Sequence, residues 1–153
     1  VGDDNPIDAA DVTITDGIDG DITILGDINL NHDNSNSDHG SIELTAGGSV
    51  TLADLDLDKI HYAALSSGSG ASEITGTISG FDTTTTGGSG TEGDPYITGE
   101  ADLRAPAGQV VYYSEEENSG LGGYVWQLPD LNNSGDGGIL RPKPVSGTVG
   151  VLR

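Results

Sequence analysis

The sequence is poor in several residue types, and each shortage excludes something. None of the 153 residues is cysteine, so the chain has no disulfide framework and cysteine usage gives no evidence of its redox compartment. Only five residues are Lys or Arg against 25 Asp and Glu, which gives a net charge of −20. Phosphate groups would be repelled by such a chain, so we expect neither nucleic acid nor an anionic membrane surface as a partner.

Long apolar runs, aromatic residues and methionine are also scarce or absent. No run approaches the roughly 20 apolar residues of a membrane span, so we expect no membrane insertion. Aromatic residues make up 5% of the chain, so Ile, Leu and Val must supply most of the core. The lack of methionine, even at position 1, predicts a chain that has been processed or is a fragment.

The negative charge is concentrated in the first two thirds of the sequence. Residues 1–100 hold 19 acidic residues and a single base, Lys59, whereas residues 101–153 hold six acidic and four basic residues. High salt or bound divalent cations would reduce the repulsion among these acids. The same asymmetry is also typical of a solvated outer face.

Apolar residues recur with a period of two near the N-terminus. The large apolar residues on even positions are Val12, Ile14, Ile18, Ile22, Ile24, Ile28 and Leu30, with Thr, Asp and Asn between them. This alternation predicts strands with one buried and one hydrated face, and Leu25 is the one large apolar residue out of phase. The 25 glycines argue against long helices.

A short unit, Gly-x-apolar-x-apolar, is written repeatedly along the chain. Copies occupy residues 20–24, 26–30, 40–44, 48–52, 99–103 and 108–112, with a degenerate copy at 10–14. The leading Gly20 and Gly40 lie 20 positions apart, a period typical of solenoids whose coils stack in parallel. The phase changes between Leu52 and Leu55, which predicts a bend at Ala53 and Asp54.

The preferred fold is therefore all-β, a parallel β-helix (solenoid), and residues 1–153 form one domain. We expect coils over about 10–112 and a C-terminal aromatic cap over 113–153. The polar stretches 30–40, 66–73 and 82–95 are interpreted as long corner loops. The alternative is an antiparallel β-sandwich, with hairpin turns at Asp16 and Gly17 and at Asp19 and Gly20.

Two acidic stretches are candidate calcium sites. "DLNNSGDG" places Asp130, Asn132 and Ser134 at alternate positions before Gly135 and Asp136, like the first half of a calcium loop. Arg141 stands where the closing acid would be, so an ordinary turn is the alternative. "DLDLD" places Asp54, Asp56 and Asp58 on one side of an extended strand, and a solvated face is the alternative there.

A third polar stretch, "NHDNSNSDHG", offers His32, Asp33, Asp38 and His39 to a metal, but its spacing is equally that of a hydrated loop. We expect no cofactor to be required, and Ca²⁺ is the one ion that the sequence suggests.

No catalytic signature is present. A lyase acting on acidic sugars needs basic residues, and residues 1–100 supply only Lys59. With 25 acids, a pair of carboxylates arises by chance and does not indicate a glycosidase. The sequence has no nucleophile elbow, phosphate loop or zinc motif, so we expect the protein not to be an enzyme.

Two stretches resemble known bacterial surface proteins. "GSIELTAGGSVTLADLDL" resembles the repeats of filamentous-haemagglutinin-like proteins. In the tail, the pattern is carried by Val111, Tyr112, Tyr113, Asn118, Leu121, Gly123, Tyr124, Leu128, Gly137, Gly138, Leu140 and Pro142. This pattern resembles the C-terminal end of secreted β-helical proteins that precede a PEP-CTERM-type sorting signal, although 66–95 is irregular and the given sequence ends at Arg153 without the sorting helix. The resemblance implies a right-handed parallel β-helix, export, and adhesive or structural work.

These observations predict an extracellular or cell-surface structural protein. It would form filaments or surface layers through strand edges, with the acidic part of one copy meeting the more basic tail of the next. The alternative is an adhesin that binds surface glycans. The predicted interface residues are the tail aromatics and bases Tyr112, Tyr113, Tyr124, Trp126, Arg141 and Lys143.

Overall fold

The computed structural model describes residues 12–26, 40–81, 83, 87–99, 103–121 and 123–144. These residues form an all-β structure, in which the helical elements are two short 3₁₀ turns at Leu57–Lys59 and Ser119–Leu121. The strands are β1 (Val12–Thr15), β2 (Ile22–Ile24), β3 (Ile42–Ala46), β4 (Val50–Leu52), β5 (Leu55–Asp56), β6 (Ala63–Ser67), β7 (Ala71–Ile74), β8 (Ile78–Ser79), β9 (Tyr96–Ile97), β10 (Leu103–Arg104), β11 (Val110–Tyr113), β12 (Trp126–Gln127) and β13 (Ile139–Pro142).

The strands are distributed over three sheets. Sheet I has the order β1-β3-β6-β10, sheet II has the order β2-β4-β7-β11-β13-β12-β9, and sheet III is the pair β5-β8. From β1 to β11, each strand lies in a different sheet from the strand before it. Nine of the ten strand pairs are parallel, and the exception is β12 with β13.

Parallel pairing in register stacks buried side chains into columns. In sheet II, Ile22 is opposite Val50, Val50 is opposite Ser72, and Ser72 is opposite Val111. In sheet I, Leu44 is opposite Leu65. Buried residues from all three sheets form a single core cluster. Each short strand thus buries its apolar face only because neighbouring strands continue the column.

Several of the sequence predictions are confirmed. Strands occur at 22–24, 42–46, 50–52 and 110–113, where the Gly-x-apolar-x-apolar units predict them. The chain bends at Ala53 and Asp54, so that Leu52, Leu55 and Leu57 are all buried despite the change of phase. The unit at 26–30 and most of the 30–40 stretch, including His32, Asp33, Asp38 and His39, lie outside the described residues.

The predicted 20-residue period does not give the strands that pair with each other. The unit that begins at Gly20 lies in sheet II and the one that begins at Gly40 lies in sheet I, so they do not stack. Ile22 instead pairs with Val50, 28 positions on, and Val50 pairs with Ser72, 22 positions on. Corner segments of different lengths change the spacing without changing the register within each sheet.

The interpretation of 66–73 as a corner loop is also wrong. Strands β6 and β7 run through this polar stretch, and only residues 68–70 turn between them. Ser67 and Ser72 are buried there. The Ser67 hydroxyl donates to the Gly48 carbonyl, so one polar side chain is accommodated inside the structure by a hydrogen bond.

Two apolar residues predicted to be buried are exposed. Ile14 is 40% exposed and Ile18 is 92% exposed. Ile18 lies in the turn after β1, where alternation no longer assigns a face, and Ile14 lies on the edge strand of sheet I. The hairpins expected for the sandwich alternative are not formed between β1 and β2, because these strands lie in different sheets.

Corner glycines permit close stacking between sheets I and II. A Cβ on Gly47 would collide with the Gly17 carbonyl oxygen, and a Cβ on Gly68 would collide with that of Gly47. Neither Gly47 nor Gly68 has a positive φ. They are therefore required by close backbone approach, and not by the positive φ that glycine corners are usually expected to adopt.

Candidate functional site

Four aromatic rings form a cluster that runs from the core to the surface. Trp126 is 3% exposed and packs edge-on against Phe81, with ring centroids 5.4 Å apart. The Tyr96 ring centroid lies 4.9 Å from that of Trp126, and Tyr124 packs edge-on against Tyr96 with centroids 5.2 Å apart. Tyr124 is 47% exposed, so this cluster presents one fixed ring to solvent.

A cavity of about 290 Å³ opens beside this aromatic cluster. The Trp126 indole N–H donates to the Leu121 carbonyl at 3.3 Å, which fixes the ring against the 3₁₀ turn at Ser119–Leu121. The lining is contributed by three separate segments of the chain, with residues Thr83, Tyr96, Gly120, Leu121, Tyr124 and Trp126.

The predicted interface aromatics do not share one surface. Tyr113 is fully buried, and burial together with the charge of Glu115 raises the pKa of its phenol to about 12. Trp126 is also buried. The prediction that these two residues are exposed contacts is wrong, because alternation along β11 and the packing of the tail turn them into the core. Tyr112 is half-buried, and Tyr124 is exposed.

The predicted basic residues lie beside Tyr112 on sheet II. Tyr112 is in register with Glu73 on one side and Arg141 on the other. The Lys143 ammonium forms an ion pair with the Glu73 carboxylate at 2.6 Å. Three of the predicted interface residues are therefore neighbours on this sheet, and Tyr124 belongs to the separate aromatic cluster.

The predicted calcium loop at 130–136 is held by its own hydrogen bonds. The Asp130 carboxylate accepts from the Asn132 backbone N–H at 2.9 Å, and from both the hydroxyl and the backbone N–H of Ser134. These bonds hold the pKa of Asp130 down at about 2, the Asn132 N–H contributing most. Asn132, Ser134 and Asp136 are exposed.

The three acids of "DLDLD" do not line one extended face. Asp56 ends β5 and Asp58 lies in the 3₁₀ turn at Leu57–Lys59, so the extended geometry stops between them. Asp56 accepts from the Asp58 backbone N–H and pairs with Lys59 at 3.3 Å. Asp54 accepts from the Thr77 backbone N–H at 2.7 Å.

Carboxylate and amide side chains join successive corners, a role that sequence reasoning missed. Asp21 accepts from the Ser49 N–H and hydroxyl, and these bonds lower its pKa. The buried Asn118 accepts from the Ile78 N–H at 2.6 Å and donates to the Gly76 carbonyl at 2.8 Å. Asn118 thereby bonds to the backbone on either side of Thr77 as a paired strand would. The tail resemblance includes Asn118 but does not indicate this role, because Ile78 and Gly76 lie 40 and 42 positions away in sequence.

The edges of both large sheets are also candidate interaction sites. Among the described residues, β1 and β10 are the outer strands of sheet I, and β2 and β9 are those of sheet II. Exposed apolar side chains accompany β1 and β2, namely Ile14, Ile18 and Leu25, the last 84% exposed. Exposed apolar groups beside strand edges are a feature of surfaces that associate.

Within the described ranges, no three His, Asp or Glu side chains converge on a point where a metal ion could be held. The calcium sites stay predictions. In the same part of the chain, no helix is long and apolar enough to cross a bilayer.

The fold and these sites define an all-β protein built mainly of parallel strands, with a cluster of four aromatic rings contributed by separate segments of the chain. Comparison of the chain with known protein families, with curated proteins and with solved structures finds no match.

Proposed function

We propose that the protein is a parallel β-solenoid that serves as an extracellular structural subunit of a surface layer or filament. Three features support the solenoid. The pairing is almost entirely parallel, successive strands alternate between sheets, and core residues stack in register. Solenoid coils associate through open ends, because each end leaves strand edges and apolar columns uncovered.

The observation that carries the self-association is the outer edge of β1. The Asp16 N–H donates to the Thr45 carbonyl, just beyond the end of the pairing between β1 and β3. Because N–H groups alternate in direction along a strand, the Ile14 N–H also faces β3. The N–H groups of Thr13 and Thr15 therefore point away from sheet I. They offer a parallel ladder to the edge strand of another copy.

The charge distribution favours a head-to-tail arrangement of copies. Two N-terminal ends meeting each other would bring together segments that each carry 19 acidic residues within residues 1–100. The C-terminal part carries four of the five bases, including Arg141 in β13 of sheet II and Lys143, which follows that strand. A head-to-tail contact places the strongly acidic part of one copy against the much less acidic part of the next, which reduces the repulsion, and repeated contacts of that kind generate a filament.

A matched pair of variants at Thr13 tests this proposal. Thr13→Pro removes the outward N–H without removing a bond to β3, and proline is tolerated on strand edges. Thr13→Val keeps the N–H and is the control. We expect wild type and Thr13→Val to form concentration-dependent oligomers by sedimentation velocity and filaments by electron microscopy. Thr13→Pro should stay monomeric with an unchanged melting curve.

Two results would overturn the self-association proposal. One is a wild-type chain that stays monodisperse and monomeric at high concentration, both with and without calcium. The other is a folded Thr13→Pro variant that assembles as wild type does.

A second function, glycan binding by an adhesin, is favoured by the exposed ring of Tyr124. Aromatic side chains with an apolar body and a polar tip are frequent contacts at binding surfaces. Retention of the whole chain on immobilised glycans, measured against an uncoated surface, tests this function independently of self-association. No retention on any glycan surface would contradict it.

A further inference from the structure

We propose that the cavity beside Tyr124 binds one uncharged sugar ring of a surface glycan. This inference rests on the second function above and names its site. The cavity volume of about 290 Å³ lies near the lower end of the roughly 300–1,000 Å³ that small-molecule sites occupy, which suits a single ring.

The aromatic cluster holds Tyr124 in place before any ligand arrives. Tyr124 meets Tyr96 at an interplanar angle of 76°, and Tyr96 rests on the buried ring of Trp126. Trp126 is fixed by Phe81 and by its hydrogen bond to the Leu121 carbonyl. A contact ring that is already fixed loses little conformational entropy on binding, so more of the contact energy appears as affinity.

The lining matches the two-sided chemistry of a sugar. A pyranose ring has faces of C–H groups that pack on an aromatic ring, and a rim of hydroxyls that require hydrogen-bond partners. Tyr96, Tyr124 and Trp126 supply apolar ring surface. Thr83 and the two tyrosines carry hydroxyl groups, and Gly120 contributes backbone. The Trp126 indole N–H is already bonded, so Trp126 acts as an apolar wall.

Charge selects an uncharged sugar over uronates and sulfated sugars. The acids Glu115, Glu116 and Glu117 are exposed on the segment that leads into the Ser119–Leu121 turn. A Cβ on Gly123, next to Tyr124, would lie 3.2 Å from a Glu115 carboxylate oxygen. An anionic ligand would therefore approach like charge, on a chain whose net charge is −20.

The chain carries its own reporter for this site, because Trp126 is its single tryptophan and forms part of the cavity wall. The test titrates wild type with cellohexaose and chitohexaose as uncharged probes, and with alginate and heparin as charged ones. We expect a saturable change in tryptophan emission with at least one uncharged probe and none with the charged probes.

Substitutions then locate the site. Tyr124→Ala should weaken the binding of the uncharged probe about tenfold or more, because it removes the stacking ring. Tyr124→Phe keeps the ring and should retain most of the affinity. The control, Tyr62→Ala, removes a tyrosine that does not line the cavity and contacts Glu43 and Arg104 instead, so this variant should bind as wild type does. Since Tyr124 is half exposed, its variants should melt at the wild-type temperature.

Each failure has a distinct meaning. If an uncharged probe binds wild type and Tyr124→Ala equally well, the cavity is not the site, although the glycan function stands. If only alginate or heparin binds, the assignment to uncharged sugars is overturned. If no probe binds wild type and the chain is not retained on glycan surfaces, both the site and the second function fall. The Thr13 variants report on self-association in every case.

Discussion

At the residue scale, several acidic and amide side chains serve as hydrogen-bond acceptors for backbone N–H groups. Asp21 accepts from the Ser49 N–H and Asp54 from the Thr77 N–H, both in segments between strands, and the buried Asn118 accepts from the N–H of Ile78 in β8. Corners interrupt the ladders between strands, so their N–H groups need other partners. Part of the acidic character of this chain therefore has a structural use that involves no cation.

The same chemistry gives Asp130 a measurable pH dependence. Its pKa is lowered from the ordinary value of 3.8 to about 2, chiefly by the Asn132 N–H. A lowered pKa in the folded state means that the carboxylate stabilises the loop fully above pH 3.8. That contribution is lost as the pH falls through about 2. We expect the amide NMR signals of Asn132 and Ser134 to titrate with a midpoint near 2.

Two variants provide the controls for this titration. Asp130→Asn removes the ionising group and should abolish the transition in both signals. Asp136→Asn removes a neighbouring exposed acid and should leave the midpoint unchanged. A wild-type midpoint near the ordinary value of 3.8 would show that the hydrogen bonds to Asp130 do not form in solution.

At the scale of elements, the corners between sheets I and II determine how closely the strands can stack. Gly68 lies over Gly47, and Gly47 lies over Gly17, with each position too close to the carbonyl below it to accommodate a side chain. Hydrogen bonds cross the same corners, including Gly68 N–H to the Ala46 carbonyl at 2.8 Å. A bulkier residue inside this column would have to separate adjacent strands that pair about 4.8 Å apart.

Alanine substitutions at two positions of this column test its importance. Gly68→Ala places a methyl group against the Gly47 carbonyl oxygen, and we expect the free energy of unfolding to fall by roughly 1–3 kcal/mol. Gly17→Ala is the matched control, because a Cβ there has nothing within 4 Å. It should leave stability unchanged within about 0.5 kcal/mol. Denaturant titration followed by circular dichroism measures both, and equal effects of the two substitutions would contradict the close stacking.

At the scale of the whole molecule, the dominant feature is the net charge of −20. Among the described residues, the ion pairs that oppose this charge include Lys59 with Asp56 and Lys143 with Glu73, and both lysines are about half exposed. Exposed pairs of this kind contribute little. Mutual repulsion of the remaining carboxylates should therefore lower the stability of the folded chain at low ionic strength.

We accordingly expect the melting temperature to rise when NaCl is increased from about 10 mM to about 500 mM, since the Debye length falls over that range. Differential scanning calorimetry measures the shift. A CaCl₂ series at matched ionic strength tests the calcium prediction separately. If the predicted sites bind calcium, the rise exceeds that in NaCl and is reduced by Asp130→Asn. A melting temperature independent of NaCl would contradict the repulsion argument.

The members of the aromatic cluster could be predicted only in part from the sequence. Tyr124 was predicted as a contact and is exposed, whereas Trp126 and Tyr113 were predicted as contacts and are buried. Tyr96, which supports Tyr124, was not predicted at all. It comes from a two-residue strand 28 positions before Tyr124. No local pattern indicates that these two rings meet.

Alternation along the chain is enough to predict an all-β protein, strands such as 42–46 and 50–52, and a bend at Ala53 and Asp54. These features depend on neighbouring residues, because the period of two and the breaking of phase are local properties of a strand. Only the tertiary structure decided which strands pair, why Gly47 and Gly68 must lack a side chain, and which aromatic rings meet at the surface. A short strand buries its apolar face against neighbouring strands that lie 20 to 40 positions away in sequence. The lengths of the segments between strands select these neighbours, and the alternation of apolar residues does not encode those lengths.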